Sequence, residues 1–246
     1  MAFPASNETL VYKHPFYFPV KSPAQPVSRE RDPEARKERI LAAAGVVFGK
    51  AGFAAGSVRE ISRRARVNLA SINYYFGSKE GLYRELLLAA HQQVLTLEAP
   101  PTLAEGADAR ETLRQWVDFC LRFVLVKRPS HPVLGRLMAH EMRQPSPVLN
   151  ELVKRVIDPI FGELKRVVAA VGRGKLSSGQ VEMFAHHLIG MCVHYEQGAQ
   201  VIKRLGFAVP DSETGIAKLA DSITTLALGG ISGAASNRPS KTSKHS

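Results

Sequence analysis

The chain has 246 residues, of which 45% are hydrophobic, so it is long enough to bury a core in one large or two modest domains. It contains no apolar run of about 18 residues, and its N-terminal segment lacks the apolar stretch of a secretory signal, which predicts a cytoplasmic protein without a membrane partner. The two cysteines exclude a disulfide framework. The net charge of +11 favours polyanionic partners, of which nucleic acid is the most common.

The two ends of the chain differ in composition from the part between them. Residues 1–30 are rich in proline and show no helical period, which is typical of a flexible arm; their aromatic side chains could instead dock on the body of the protein or on a partner. Residues 229–246 are rich in glycine, serine and lysine, and we expect a flexible tail there. Positive charge is concentrated in residues 29–84, which hold 12 Lys and Arg against six Asp and Glu.

Hydrophobic residues recur at helical spacing through the region between these ends. One helix is predicted to end at Gly52, and another to run to about Leu97. Further helices are expected at about 109–127, 130–142, 147–171 (kinked at Pro159), 178–204 and 213–228. Because no alternating run of β-branched residues is bounded by turn residues, the sequence predicts an all-α fold.

Two short helices joined by a tight turn are predicted between residues 57 and 76. Residues 57–60 (Ser-Val-Arg-Glu) have the pattern of a capping box, in which the serine hydroxyl and the glutamate carboxylate each accept from the other's backbone amide. Asn68 is placed to cap the second helix, and Val67 and Ile72 have the spacing of a hydrophobic staple. Ile72 and Phe76 lie one turn apart and face the core, so the second helix is held from beneath.

The second helix is predicted to present a small outer face, which suits insertion into the major groove of DNA. The outward side chains are expected to be Ala70, Ser71 and Tyr74, with Leu69, Asn73 and Tyr75 on the flanks. The side chains placed where they could hold phosphates are Arg59, Arg63, Arg64, Tyr75 and Lys79. The spacing alone also allows an ordinary helical hairpin with solvated arginines.

Residues 39–83 resemble the DNA-binding domain of TetR/AcrR-family regulators. The matching features are Ile40-Leu41, Ala43-Ala44, Phe48, Gly52-Phe53, the run 57–61, Ala65, Val67, Tyr74-Tyr75-Phe76, Lys79 and Leu82. The resemblance implies a helix-turn-helix DNA-binding domain at 31–78, followed by a helical regulatory and dimerisation domain at 79–228. On this basis the predicted DNA contacts are Ser57, Arg59, Arg66, Leu69, Ala70, Ser71, Asn73, Tyr74, Tyr75 and Lys79.

Two positions depart from the family's pattern. Arg66 stands where the family usually has a glycine in the turn, so a left-handed backbone there is expected to be strained by about 1–2 kcal/mol. The side chain could instead serve as a further phosphate contact. Asn73 replaces a tyrosine of the second helix. An asparagine can pair bidentately with adenine, which is worth about 1–3 kcal/mol of discrimination, or it can hydrogen-bond only locally.

The resemblance also implies a homodimeric transcriptional repressor that binds operator DNA and is released by a small-molecule inducer, with no cofactor. In the family the last two long helices form the dimer interface, and here these are 178–204 and 213–228. Residues 131–160 further resemble the CecR-like branch. Large apolar side chains line many small-molecule pockets, although any single such residue is more often part of the hydrophobic core. The candidate pocket residues are Trp116, Phe119, Phe123, Met138, Met142, His187 and Met191.

Two other classes of protein are alternatives to this one. A helical enzyme using His140, Glu141 or Cys120 would need a catalytic partner that the sequence does not show, so no catalytic residue is assigned. The histidines of 178–204 lack the spacing of a metal site. A basic architectural protein without ligand control would bind every duplex alike, whereas a repressor prefers its operator by about 10³–10⁷-fold.

Overall fold

The computed structural model describes residues 32–236, and this part of the chain contains α-helices, two π-helical segments and no strand. The α-helices are α1 (Pro33–Ala55), α2 (Val58–Ala65), α3 (Leu69–Phe76), α4 (Lys79–Leu97), α5 (Ala109–Arg122), α6 (Arg128–Ser130), α7 (Pro132–Arg143), α8 (Leu149–Leu152), α9 (Asp158–Val171), α10 (Ser178–Gln197), α11 (Ala199–Arg204) and α12 (Glu213–Ser236). The all-α prediction is confirmed. The predicted arm at 1–30 and the end of the predicted tail lie outside the described residues.

Helices α1, α2 and α3 form one unit, which we call the head. Asp32 caps α1 by accepting from the amide of Glu34. Ile40, Ala44 and Phe48 recur on one face of α1 and are fully buried in a core that also contains residues of α2 and α3. The backbone leaves the helix at Gly52 (φ 72°, ψ 179°) and then adds one turn to Ala55, so the predicted end at Gly52 is a kink.

A second unit, which we call the body, consists of α5, α9, α10 and α12. Its core includes Trp116 from α5, Val167 from α9, Leu188 from α10 and Ile223 from α12, all of them buried. Helix α4 joins the two units because Leu86 and neighbouring residues pack in the head core, while Leu95 packs against the body core.

The structure divides the predicted helix at 147–171 into α8, a π-helical segment (Val153–Ile157) and α9. Pro159 follows this segment directly. Proline has no N–H, and its ring clashes with the carbonyl four residues earlier, so the wider π turn accommodates it where an unbroken α-helix cannot. A second π-helical segment (Phe123–Lys127) follows α5 within the helix predicted at 109–127.

The last helix is longer than predicted. It runs to Ser236 instead of 228, and Ile231 is fully buried in the body core. The predicted flexible tail is therefore wrong for residues 229–236, because a buried isoleucine offsets the poor helix propensity of the neighbouring glycines. Within residues 32–236, no helix is both long and apolar enough to cross a membrane.

Candidate nucleic-acid interface

Helix α2 begins as predicted, but the predicted capping box is only half formed. The Ser57 hydroxyl accepts from the amide of Glu60 at 3.3 Å. The Glu60 carboxylate instead accepts from Arg63 at 2.7 Å and from Arg64 at 2.6 Å. Charge-assisted bonds to guanidinium are stronger than a bond to a neutral amide, and the bond from Arg63 lowers the pKa of Glu60. Arg63 and Arg64 are thus partly neutralised within α2.

The turn between α2 and α3 has a left-handed backbone at Arg66, the position where the family usually has glycine. Arg66 closes α2 at φ 54° and ψ 47°, and its side chain is exposed. The buried Ser62 hydroxyl donates to the carbonyl of Val67 at 2.6 Å, which fixes the turn from inside. A non-glycine residue in this conformation costs about 1–2 kcal/mol. Strain of this kind is often retained where a side chain has a function.

Replacing Arg66 with glycine is expected to raise the free energy of unfolding by about 0.5–1 kcal/mol, because relief of strain exceeds the added entropy of the unfolded chain. If Arg66 contacts a DNA phosphate, the same variant binds every duplex more weakly. The slope of the logarithm of its affinity against the logarithm of the salt concentration then becomes shallower by about one unit. Arg173 supplies a matched control, since it is exposed in the body at φ 49°. Arg173→Gly is expected to stabilise the protein without changing DNA binding. An unchanged salt slope for Arg66→Gly excludes the phosphate contact.

Helix α3 is capped and braced as the sequence predicts. The Asn68 side-chain oxygen accepts from both the amide and the hydroxyl of Ser71 at 2.8 Å. Ile72 is fully buried and Phe76 is 8% exposed, both in the head core. Val67 packs against the same core, consistent with the predicted staple. The position of α3 is therefore fixed by its cap and by its buried edge.

The outer face of α3 differs in detail from the prediction. Leu69, Ala70, Asn73 and Tyr74 are exposed, whereas Ser71 and Tyr75 are half-buried. Ser71 turns towards its cap because its hydroxyl bonds to Asn68. The Asn73 side chain makes no hydrogen bond to any residue between 32 and 236, which disfavours a purely local role. Tyr74, 83% exposed, is the most prominent group on this face.

Lys79 and Arg59 were both predicted to contact phosphates. Arg59 is exposed on α2. The Lys79 ammonium donates to the carbonyl of Ala54 at 2.9 Å and lies 4.9 Å from the centre of the Phe53 ring. Lys79 thus connects α4 to the last turn of α1, a structural role in addition to the predicted phosphate contact. Lys79 and Ala54 are 25 residues apart, and nothing in a single sequence signals their contact.

The structure does not bring the seven predicted pocket residues into one cavity. Trp116 packs beside Cys120 and Cys192 in the body core, where there is no room for a molecule of the size of water. Phe119 and Phe123 follow Trp116 along the chain, and their rings are in contact. The other four residues lie elsewhere: Met138 is buried in a small cluster beside α4, Met142 is 65% exposed, and His187 and Met191 line a groove beside α12. Met142 lies on the exposed side of α7, whereas the buried residues of this helix pack on the head and in the cluster beside α4.

The candidate catalytic residues are also separated. Glu141 is buried and accepts from Tyr83, His140 packs against Gly52, and Cys120 lies in the body.

The head presents α3 as a capped helix with an exposed outer face, a buried inner edge and arginines on either side. That geometry defines a helix-turn-helix protein of the DNA-binding class.

Comparisons with known proteins agree with this class. Residues 40–86 match the model of the bacterial regulatory proteins of the tetR family, and residues 109–231 match the C-terminal domain of the HTH-type transcriptional dual regulator CecR. CecR of Shigella flexneri is 28% identical over 193 residues, which cover 73% of this chain and 84% of the relative. The regulator RutR of Escherichia coli K12 is 26% identical over 213 residues, which cover 82% and 93%.

Solved structures show the same fold. A TetR-like regulator from Rhodococcus sp. RHA1 superposes with a TM-score of 0.54 at 22% identity, over 80% of this chain and 97% of that one. PfmR from Thermus thermophilus gives 0.54 at 19% identity, over 78% and 95%. The chain belongs to the TetR family of transcriptional regulators, which bind DNA and are not enzymes.

Proposed function

We propose that this protein is a sequence-specific, dimeric repressor that places α3 in the major groove of a pseudo-palindromic operator and is released by a small molecule. The observation that carries the proposal is the outer face of α3. Ala70 and Tyr74 are exposed on the side away from the buried Ile72 and Phe76, and the exposed Asn73 lies on the flank of the helix. A small exposed face on a rigid base lets a helix approach base edges closely. The exposed Arg59 and Arg66 flank it with positive charge that suits phosphates.

Two copies of the chain are proposed to pair through α10 and α12. Met183 on α10 is 46% exposed and Leu226 on α12 is 67% exposed, which is unusual for large apolar side chains. Between the two helices lies an open groove of about 440 Å³, lined in part by Phe184, Met191 and Leu226. A twofold arrangement covers this face on both copies and places two α3 helices on successive half-sites.

The inducer is proposed to bind in the body at Trp116. The indole N–H of Trp116 is buried, and no residue in the described part of the chain accepts from it. A buried donor without an acceptor is uncommon, and a neutral ligand with an acceptor atom would satisfy it. The packing beside Trp116 has no room for a molecule of the size of water, so the ligand has to displace the surrounding side chains to reach it. Trp116 is the only tryptophan, which lets its fluorescence screen for compounds. A compound qualifies as the inducer only if it also lowers the affinity for operator DNA.

The function is tested by selecting bound duplexes from a random pool and by repeating the selection with Asn73→Ala. The wild-type protein is expected to yield a pseudo-palindrome. The variant is expected to lose about 1–3 kcal/mol of discrimination at one base position of each half-site, because its bidentate donor and acceptor are gone. Asn150→Ala removes an equally polar, exposed amide from α8 and is the matched control.

Three outcomes decide between the alternatives. A palindrome whose preference relaxes only in Asn73→Ala supports the full proposal. If the wild type and Asn73→Ala select the same palindrome with the same preferences, the repressor proposal stands, but Asn73 does not recognise a base. A pool without any preferred sequence supports the architectural alternative and contradicts the repressor.

A further inference from the structure

Helix α7 belongs to the regulatory half of the chain in sequence, yet it packs on the head. Leu137 on α7 is fully buried in the head core, and Val148, just before α8, is 3% exposed in the same core. The body core contains neither of them. The core of the head therefore includes a segment that lies well beyond α4 in the chain.

Three glycines of α1 explain how α7 comes so close. Gly45, Gly49 and Gly52 lie along one face of α1 at helical spacing. A Cβ at Gly45 would lie 3.1 Å from Cγ1 of Val133, and one at Gly49 would lie 3.1 Å from Nε of Arg136. A Cβ at Gly52 would lie 2.9 Å from Nδ1 of His140. The absent side chains leave a flat surface on α1, and α7 lies directly against it.

A buried carboxylate joins α7 to α4. Glu141 is 2% exposed; one of its oxygens accepts from the Tyr83 hydroxyl at 2.8 Å, and the other accepts from the amide of Ser146 at 3.0 Å. The Ser146 hydroxyl in turn accepts from the amide of Val148. Burial and the bond to Glu141 raise the pKa of Tyr83, so the hydroxyl stays a donor. A buried carboxylate that loses one of its donors is strongly destabilised, which makes this connection specific.

The segment that holds Glu141 is bounded by the two π-helical segments. Phe123–Lys127 precedes α6 and α7, and Val153–Ile157 follows α8. Among residues 32–236, a third and small cluster with four buried members belongs to neither core, and both segments contribute partly buried side chains to it. Because this cluster has so few buried residues, its packing opens more easily than that of the head core or the body core. π-Helical turns are also frequent at functional sites.

We propose that Glu141 is a positioning residue for DNA binding, which locks α7 to α4 so that residues 132–152 move with the head. Movement in the body then reaches the head through α4 and the two π-helical segments, and not at the junction of α3 and α4. This inference rests on the proposed dimeric repressor. In such a dimer, the lock fixes the orientation of each head and therefore the spacing between the two α3 helices.

The first test measures spacing preference. Affinity is measured for the selected palindrome and for versions with one base pair added or removed between the half-sites. Tyr83→Phe and Glu141→Gln are expected to reduce the preference for the selected spacing about fivefold or more. A loss of folded protein lowers all affinities equally and leaves that ratio unchanged. The double variant is expected to cost less than the sum of the two single variants, since both changes act on the same buried pair.

The second test needs no operator and uses hydrogen exchange of the full chain. Tyr83→Phe, the milder change, is expected to speed exchange of the α7 amides about tenfold while α12 is unaffected. Thr112→Val is the control, because it removes the hydroxyl of a residue that is 5% exposed but lies in the body and bonds to Asp108. Its α7 exchange and spacing ratio should equal those of the wild type.

Each result has a defined meaning. Unchanged α7 exchange in Tyr83→Phe overturns the lock, whether or not an operator exists. Faster exchange with an unchanged spacing ratio overturns the positioning role. Faster exchange in a protein that selects no palindrome leaves the lock standing and contradicts the proposed function instead.

Discussion

Leu226→Glu is expected to convert the dimer into monomers and to lower operator affinity by about 10²–10⁴-fold, because the second half-site then loses its tethered head. Leu226 is 67% exposed on α12, beside the groove that α10 and α12 form. If this face is the interface, the substitution places two unpaired carboxylates in an apolar contact, one from each copy. Burying an unpaired charge costs far more than the lost leucine contacts contribute.

The expected monomer is detected by sedimentation or mass photometry, and affinity is measured by titration of the selected duplex. Leu97→Glu is the matched control, since Leu97 is 59% exposed at the end of α4, outside the proposed interface. It should remain dimeric and bind as the wild type does. If the Leu226→Glu protein stays dimeric, this face of α10 and α12 is not the dimer interface. A monomeric variant with full affinity would show that one head is enough for binding.

Features of the site that depend on neighbours in sequence could be predicted. Ser57 and Asn68 cap their helices as expected, because caps are decided within a few residues. The left-handed backbone at Arg66 agrees with the glycine that the family usually has at this position. The second half of the capping box could not be predicted in this way. Glu60 can reach an amide or two guanidinium groups, and the outcome depends on their relative strengths in three dimensions.

Features that depend on packing between distant segments were missed. The spacing of Gly45, Gly49 and Gly52 is visible in the sequence and indicates a close helix neighbour, but not which helix. Glu141 was considered as an acid–base group and is instead a buried acceptor for Tyr83, 58 residues away. The seven predicted pocket residues do not share one cavity for the same reason. Hydrophobic spacing identifies the buried face of a helix, but not the element that packs on it.

The angle between α3 and α4 depends on a close approach of two backbones, and Gly81 permits it. A Cβ at Gly81 would lie 1.9 Å from the carbonyl oxygen of Phe76. That oxygen also accepts from the amide of Ser78 at 2.8 Å, so it is held in place. The obstacle is backbone and not a flexible side chain. A single methyl group at this position therefore forces α3 and α4 apart.

Gly81→Ala is expected to lower the free energy of unfolding by about 1–3 kcal/mol or more, the range for overpacking a core. Operator affinity is expected to fall about tenfold or more, because α3 tilts on its base and contacts in the groove need close geometry. Gly162→Ala is the matched control, since Gly162 lies in α9 with nothing within 4 Å of the added Cβ. It is expected to stabilise the protein by about 0.5–1 kcal/mol, as alanine does in a helix interior.

Both variants are compared by thermal and denaturant unfolding at one protein concentration, because the stability of a dimer depends on concentration. The opposite signs separate local crowding from a general effect of replacing glycine with alanine. A folded Gly81→Ala protein with full operator affinity would mean that α3 adjusts its angle after contact with DNA. In that case, the buried side chains of Ile72 and Phe76 do not fix the orientation of α3 on DNA. The orientation is instead set by movement at the junction between α3 and α4.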